Sequence, residues 1–136
     1  MSPTTRAAAG AAPAAQHQLV EQWRDLAGRY ARVNEALERE LQKGHGLGRT
    51  EFELLARLDE APNRAGRVTE LAGEVGLSQS ALSRMVDRLE AQGLVERACC
   101  VEDRRGVFVE LTAVGRGRLG DARPSYDAVL AQHLTA

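Results

Sequence analysis

Apolar residues at Leu19, Trp23, Leu26, Tyr30, Val33, Leu37 and Leu41 recur in steps of four and three that alternate as far as Leu37. This spacing places one stripe along a single helix ending near Gly44, with Arg24, Arg32 and Glu38 among the polar side chains on its other faces. A helix of about 24 residues is about 36 Å long, more than a small domain needs for its own core. The heptad-like stripe suits a partner helix, the plainer alternative being that it wraps its own domain.

Gly44, Gly46 and Gly48 then interrupt the pattern. Thr50 and Glu53 have the spacing of a capping box and open a short helix with Phe52, Leu54, Leu55 and Leu58 as its apolar face. Glu60 to Arg67, containing Pro62, Asn63 and Gly66, reads as a loop. Two short helices follow. Thr69 is placed to cap the first, which carries Leu71, Ala72 and Val75 and stops at Gly76. Ser78 is placed to cap the second, whose inward positions are Leu82, Met85, Val86 and Leu89 and which ends at Gly93.

Leu94 to Val101 and Val107 to Leu111 are strand-like, and Asp103-Arg104-Arg105-Gly106 is the turn of the hairpin they form. Val107, Val109 and Leu111 share one face of it. Thr112 caps a last helix with Val114, Leu119, Val129, Leu130 and Leu134 as its buried side. Gly115, Gly117 and Gly120 each weaken that helix by about 0.8–1 kcal/mol relative to alanine, and Pro124 is expected to kink it.

Composition narrows the class. With 136 residues, 43% hydrophobic and 27% charged, the chain has room for one core and ordinary globular character. No apolar run approaches the roughly 20 residues of a membrane-spanning helix. The first fifteen residues lack the charged start and apolar centre of a secretory signal, so residues 1–16 are expected to be a flexible tail and the protein cytoplasmic. The expected organisation is then 17–48 as an N-terminal helix and loop, 49–112 as a central domain, and 113–136 as a C-terminal helix.

The run from Val68 to Leu89 has the layout of a helix-turn-helix. Small Ala72 allows close crossing, Gly76 supplies the positive φ of the turn, and Leu82 and Met85 close the core between the helices. Its second helix would present Ser78, Gln79, Ser80, Ser83, Arg84 and Arg88 to base edges and phosphates. A hairpin bearing Arg104 and Arg105 at its tip makes the pattern more specific, because a wing arginine can enter a narrow minor groove.

Net charge is -1, and residues 62–112 hold seven arginines against eight acids. DNA binding therefore needs Arg84, Arg88, Arg104 and Arg105 to converge on one face, with modest non-specific affinity and two copies per site.

From Leu19 onward the sequence resembles the MarR family of bacterial regulators, best from Val68 to Thr112. The resemblance is carried by Leu-Ser-Arg-Met-Val-Asp-Arg-Leu-Glu-Ala-Gln-Gly-Leu-Val-Glu-Arg, then Asp-Arg-Arg-Gly, then Val-Glu-Leu-Thr-Ala-Val-Gly-Arg. It implies a mainly α fold with a small β-hairpin wing, a winged helix-turn-helix with N- and C-terminal dimerisation helices. It also implies a homodimeric repressor on a near-palindromic operator, with Arg105 in the minor groove, Asp103 orienting it and Arg104 on phosphate. Many members release DNA on binding a small phenolic or other anionic molecule. The chain stops at Ala136, where members usually continue into another dimerisation helix, so the dimer is expected to rest on the first and last helices.

Other chemistry is sparse. Adjacent Cys99 and Cys100 on the first wing strand are either structural or a redox switch that disturbs groove docking. His17, His45 and His133 lack metal-ligand spacing with the cysteines, and neither metal nor cofactor is expected. Tyr30, His45 and Arg49 are candidate polar groups of an effector pocket. No nucleophile elbow, phosphate-cradling glycine loop or metal motif appears, so no enzyme is expected. The rival is a winged-helix module that binds protein.

Overall fold

The computed structural model describes the backbone of residues 3–99 and 107–134 and the side chains of residues 12–98 and 107–134. The chain divides into two units, Met1–Glu35 and Ala36–Ala136. Helix α1 spans Pro3–His45 and so contributes to both.

In the first unit the stretch expected as a tail is helical from Pro3 onward. Its many alanines account for the difference, since alanine is the strongest helix former, and the helix continues through Pro13. Leu19, Trp23, Leu26 and Tyr30 lie on this helix at 57% to 65% exposure. The stripe here covers no core of its own.

In the second unit Leu37 and Leu41, at the end of the same stripe, are buried. Gly46 turns the chain at φ 66°. Helix α2, Arg49–Glu60, buries the four expected residues Phe52, Leu54, Leu55 and Leu58. Its start differs from expectation. Gly48 is the N-cap, and its backbone N–H donates to Glu51 Oε1 at 2.7 Å. Glu51 thus does the back-capping assigned to Glu53, two residues earlier in the chain.

The segment expected as a loop is more ordered. A 3-10 turn, Pro62–Arg64, leads into strand β1, Ala65–Arg67. Asn63 and Arg64 both take left-handed backbone, with φ of 59° and 52°. Helix α3 is Val68–Val75 and α4 is Gln79–Ala91. Arg67, which makes no side-chain capping bond to the helix, occupies the N-cap of α3 that Thr69 was expected to fill. Strands β2, Val95–Cys99, and β3, Val107–Leu111, pair antiparallel with Val95 opposite Leu111 and Cys99 opposite Val107. β1 adds antiparallel to the other edge of β3, with Gly66 opposite Val109, giving the order β1-β3-β2. The expected hairpin is therefore two strands of a three-stranded sheet. Val109 and Leu111 turn into the core, whereas Val107, on the same face, lies beyond it and is about half exposed.

Helix α5, Ala113–Leu134, runs through Pro124 without a break. Thr112 starts it by accepting the Gly115 N–H on Oγ1 at 3.0 Å, while the same hydroxyl donates to the Gly93 carbonyl at 2.6 Å. The buried side of α5 is Gly115, Leu119, Ala122 and Val129. Val114 and Leu134, expected inside, are exposed, because small residues take the closest approach to the core. Among the described residues no buried polar side-chain atom lacks a hydrogen-bond partner.

Candidate nucleic-acid interface

The turn joining α3 to α4 is set by local chemistry. Gly76 adopts φ 74°, a left-handed conformation that costs glycine little, and Leu77 N–H closes the helix end onto Ala72 O at 2.9 Å. Ser78 then caps α4, its Oγ accepting the Ala81 N–H at 3.1 Å. Such a cap is worth about 1 kcal/mol. Leu82, Met85, Val86 and Leu89 face inward as expected.

With 3.6 residues per turn, the side opposite those four carries Ser80, Arg84, Asp87 and Ala91, all exposed. Gln79 is exposed at the N-terminal end. These positions divide the six candidate residues of the second helix into two sets. Gln79, Ser80 and Arg84 make no side-chain hydrogen bond or ion pair among the described residues, so their polar groups are available outward. The other three are already engaged. Ser78 serves as the cap, Arg88 sits on the flank facing α2 with its Nε 3.8 Å from Glu51 Oε2, and Ser83 is held by Arg97.

Arg97 was not legible in the sequence as part of this surface. From β2 its Nη2 donates to the Ser83 carbonyl at 3.0 Å and to Ser83 Oγ at 3.2 Å. Its Nη1 donates to Asp87 Oδ1 and, at 3.4 Å, to Glu90 Oε1. The Arg97 backbone N–H also donates to Glu90 Oε2 at 2.9 Å. Ser83, Asp87 and Glu90 form an i, i+4, i+7 row along α4, and one guanidinium serves all three.

Asp103, Arg104, Arg105 and Cys100 lie outside the described residues. Cys99 ends β2 opposite Val107, with its side chain likewise outside them.

The candidate effector residues belong to both units. Tyr30 is exposed on α1 in the first unit. In the second unit His45 Nε2 lies 3.2 Å from Ser125 Oγ on α5. Arg49 bonds Glu53 Oε1 through Nη1 at 2.6 Å, and its backbone N–H donates to Glu38 Oε1 at 2.7 Å. Glu53 Oε2 in turn accepts from the Tyr126 hydroxyl at 2.9 Å, and the Tyr126 ring stacks on Phe52 with centroids 4.3 Å apart. A cleft of about 480 Å³ opens beside this pair, lined also by Arg57, Glu74 and Arg123. Tyr126 carries no apolar period that would mark it in the sequence.

Burial pushes the Tyr126 phenol up to about 12, helped by the nearby Glu53 charge and the hydrogen bond to it, and opposed by Arg49. The unfolded phenol ionises near 10. Because the folded pKa is the higher, the stability Tyr126 contributes is complete below about pH 10 and is lost as pH rises toward about 12. An ultraviolet absorbance titration with Tyr126→Phe as the control should show this phenol ionising near pH 12, and ionisation near pH 10 would refute the contact with Glu53.

Two helices joined at a left-handed glycine, with antiparallel strands packed behind the second, define a winged helix-turn-helix. Comparison with known proteins places the chain within that class. The MarR family profile matches residues 47–107. The structure aligns with Sco3205, a MarR family transcriptional regulator from Streptomyces coelicolor solved in complex with DNA, at 36% identity and TM-score 0.80, covering 88% of this chain and 73% of that one. It aligns similarly with AbsC, a MarR family transcriptional regulator from the same organism, at 32% identity and TM-score 0.79, covering 85% and 79%. The sequence is 31% identical over 83 residues to the HTH-type transcriptional repressor YetL of Bacillus subtilis, covering 61% of this chain and 50% of YetL. The match thus spans half of that relative's length. The chain belongs to the MarR family.

Proposed function

We propose that the chain is a sequence-specific double-stranded DNA-binding transcriptional repressor, acting as a homodimer on a near-palindromic operator. The supporting observation is the outward face of α4, where Gln79, Ser80 and Arg84 stand exposed with their polar groups unused. Gln79 and Arg84 carry the side-chain chemistry that reads adenine and guanine edges in a major groove. Arg105 is assigned the minor groove with Asp103 orienting it, and Arg104 a phosphate. Sco3205, the relative solved with DNA, supports a duplex as the partner.

Two copies follow from the charge balance, since few cations face outward from one α4 and a single module would bind weakly. The exposed stripe of Leu19, Trp23, Leu26 and Tyr30 is the surface through which they would pair. A two-fold dimer predicts half-sites about one helical turn apart. The proposal places the protein in the cytoplasm and gives it no catalytic role. Among the described residues no helix is long and apolar enough to cross a membrane. Release by a small aromatic or anionic effector belongs to the same proposal, and the cleft beside Phe52 and Tyr126 is the site that supports it.

Selection of bound sequences from random duplex DNA, at stated salt, tests the proposal. A palindromic consensus is expected, and failure to enrich any sequence would leave the protein-binding winged helix as the better account. On the selected duplex, Arg84→Ala and Arg105→Ala should each cost about 1–3 kcal/mol and relax sequence preference at the contacted positions. Adding phenolic acids to the same assay reads effector release.

A further inference from the structure

Asp87 is a carboxylate in the middle of the surface assigned to DNA. It lies one turn after Ser83 on α4, beside Arg84, and its side chain is 65% exposed. Glu90 follows at 41% exposure. Two unneutralised acids at this point would meet phosphates of the same sign within a Debye length, about 10 Å at 0.1 M salt. Like charges brought together at an interface are strongly unfavourable.

We infer that Arg97 is a positioning residue that makes α4 fit for DNA, by masking the carboxylates of Asp87 and Glu90 and holding Ser83 away from base contact. The inference rests on the DNA-binding proposal above. Its support is geometric. Arg97 approaches from β2, is itself only 28% exposed, and spends both terminal guanidinium nitrogens on the one row of α4 that contains the acids. The fork of an arginine can reach a carboxylate with one nitrogen and a carbonyl with the other, which a lysine cannot do. The bonds to Ser83 and Glu90 fall on the flank of α4 beside the sheet and the one to Asp87 reaches round to its outward face, leaving Ser80 and Arg84 clear. The candidate list changes accordingly, with Ser83 acting through Arg97 and the readers reduced to Gln79, Ser80 and Arg84.

Charge masking and plain structural clamping give opposite results in a set of variants. Arg97→Met removes the charge and keeps the apolar stem. It should weaken binding of the selected duplex by roughly tenfold or more, a factor of ten corresponding to 1.4 kcal/mol. The triple variant Arg97→Met, Asp87→Asn, Glu90→Gln lacks the clamp and the acids together. Under masking it recovers affinity to within about twofold of the parent chain, since what repelled the phosphates is gone. If Arg97 were only a clamp, the triple variant would stay as weak as the single one, and masking would be overturned.

Should Arg97→Met fail to fold by circular dichroism, Asp87→Asn with Glu90→Gln on the intact Arg97 background gives an independent test. That variant frees a cation on the DNA face and should bind several-fold tighter, with a steeper dependence of log K on log salt. Unchanged affinity and slope would overturn the inference. A parent chain that binds no duplex would overturn the DNA-binding proposal and this inference with it, whereas a binding parent with an unaffected Arg97→Met overturns only the masking.

Discussion

Gly115→Ala should be severely destabilising, although alanine is the better helix former. A Cβ at that position would lie 2.0 Å from the Leu94 carbonyl oxygen, 2.9 Å from its carbon and 2.8 Å from Leu111 Cδ1. The first two are backbone atoms and cannot swing aside. The same carbonyl accepts the Thr112 N–H at 3.1 Å, so shifting it also strains the entry into α5. Helix propensity favours the substitution by about 1 kcal/mol, and the clash opposes it by an overpacking cost whose ordinary range is about 1–3 kcal/mol and which backbone contact drives to the upper end or beyond. The clash wins. A net loss of at least about 2 kcal/mol is expected in denaturant unfolding. Gly117 and Gly120 sit on the same helix with nothing within 4 Å of an added Cβ. Gly117→Ala and Gly120→Ala should each stabilise by about 0.8–1 kcal/mol. A Gly115→Ala protein with an unchanged midpoint would mean that α5 does not approach β2 this closely.

If the chain pairs as proposed through the α1 stripe, Trp23→Glu combined with Leu26→Glu should leave it a monomer. Both side chains are more than 60% exposed on α1, between Leu19 and Tyr30 at 57% each. Burying a large apolar side chain fully is worth about 1.5–3 kcal/mol. In a two-fold interface each position counts twice, so losing two positions removes several such contributions and places four carboxylates in one contact. The dimer dissociation constant should rise by a hundredfold or more, about 3 kcal/mol on the affinity scale. Sedimentation velocity reads the change directly, and affinity for a palindromic duplex should fall while that for a single half-site is retained. A double variant that sediments as a dimer would show that the stripe is not the pairing surface.

The parts of the fold with their own periodicity were legible in the sequence. Phe52 to Leu58 and Leu82 to Leu89 announce their buried faces, and Gly76 and Ser78 announce the turn between α3 and α4. β1 was not legible, because three residues have no period and become a strand only by pairing with β3. The beginning of α1 was hidden by composition, since a run rich in alanine and proline suggests a tail as readily as a helix. On α5 the large residues Val114 and Leu134 misled, because the helix sits so close to the sheet that Gly115 and Ala122 take the inside.

The candidate site was legible to the same depth. Gln79, Ser80 and Arg84 follow from the helical wheel alone. The engagement of Ser83 was hidden because its partner, Arg97, lies 14 residues further along the chain. Spacing within one helix says nothing of a side chain that arrives from a strand. Tyr126 escaped for the same reason, being linked to Glu53 across 73 residues.

The hydrogen-bonded corner at Gly76 and Ser78 has a thermodynamic consequence. Leu77, Ala81 and Leu82 all donate their amides within it, so α4 begins from a fixed origin before any ligand arrives. Under the proposed function, association with a duplex would then spend no conformational entropy on forming α4.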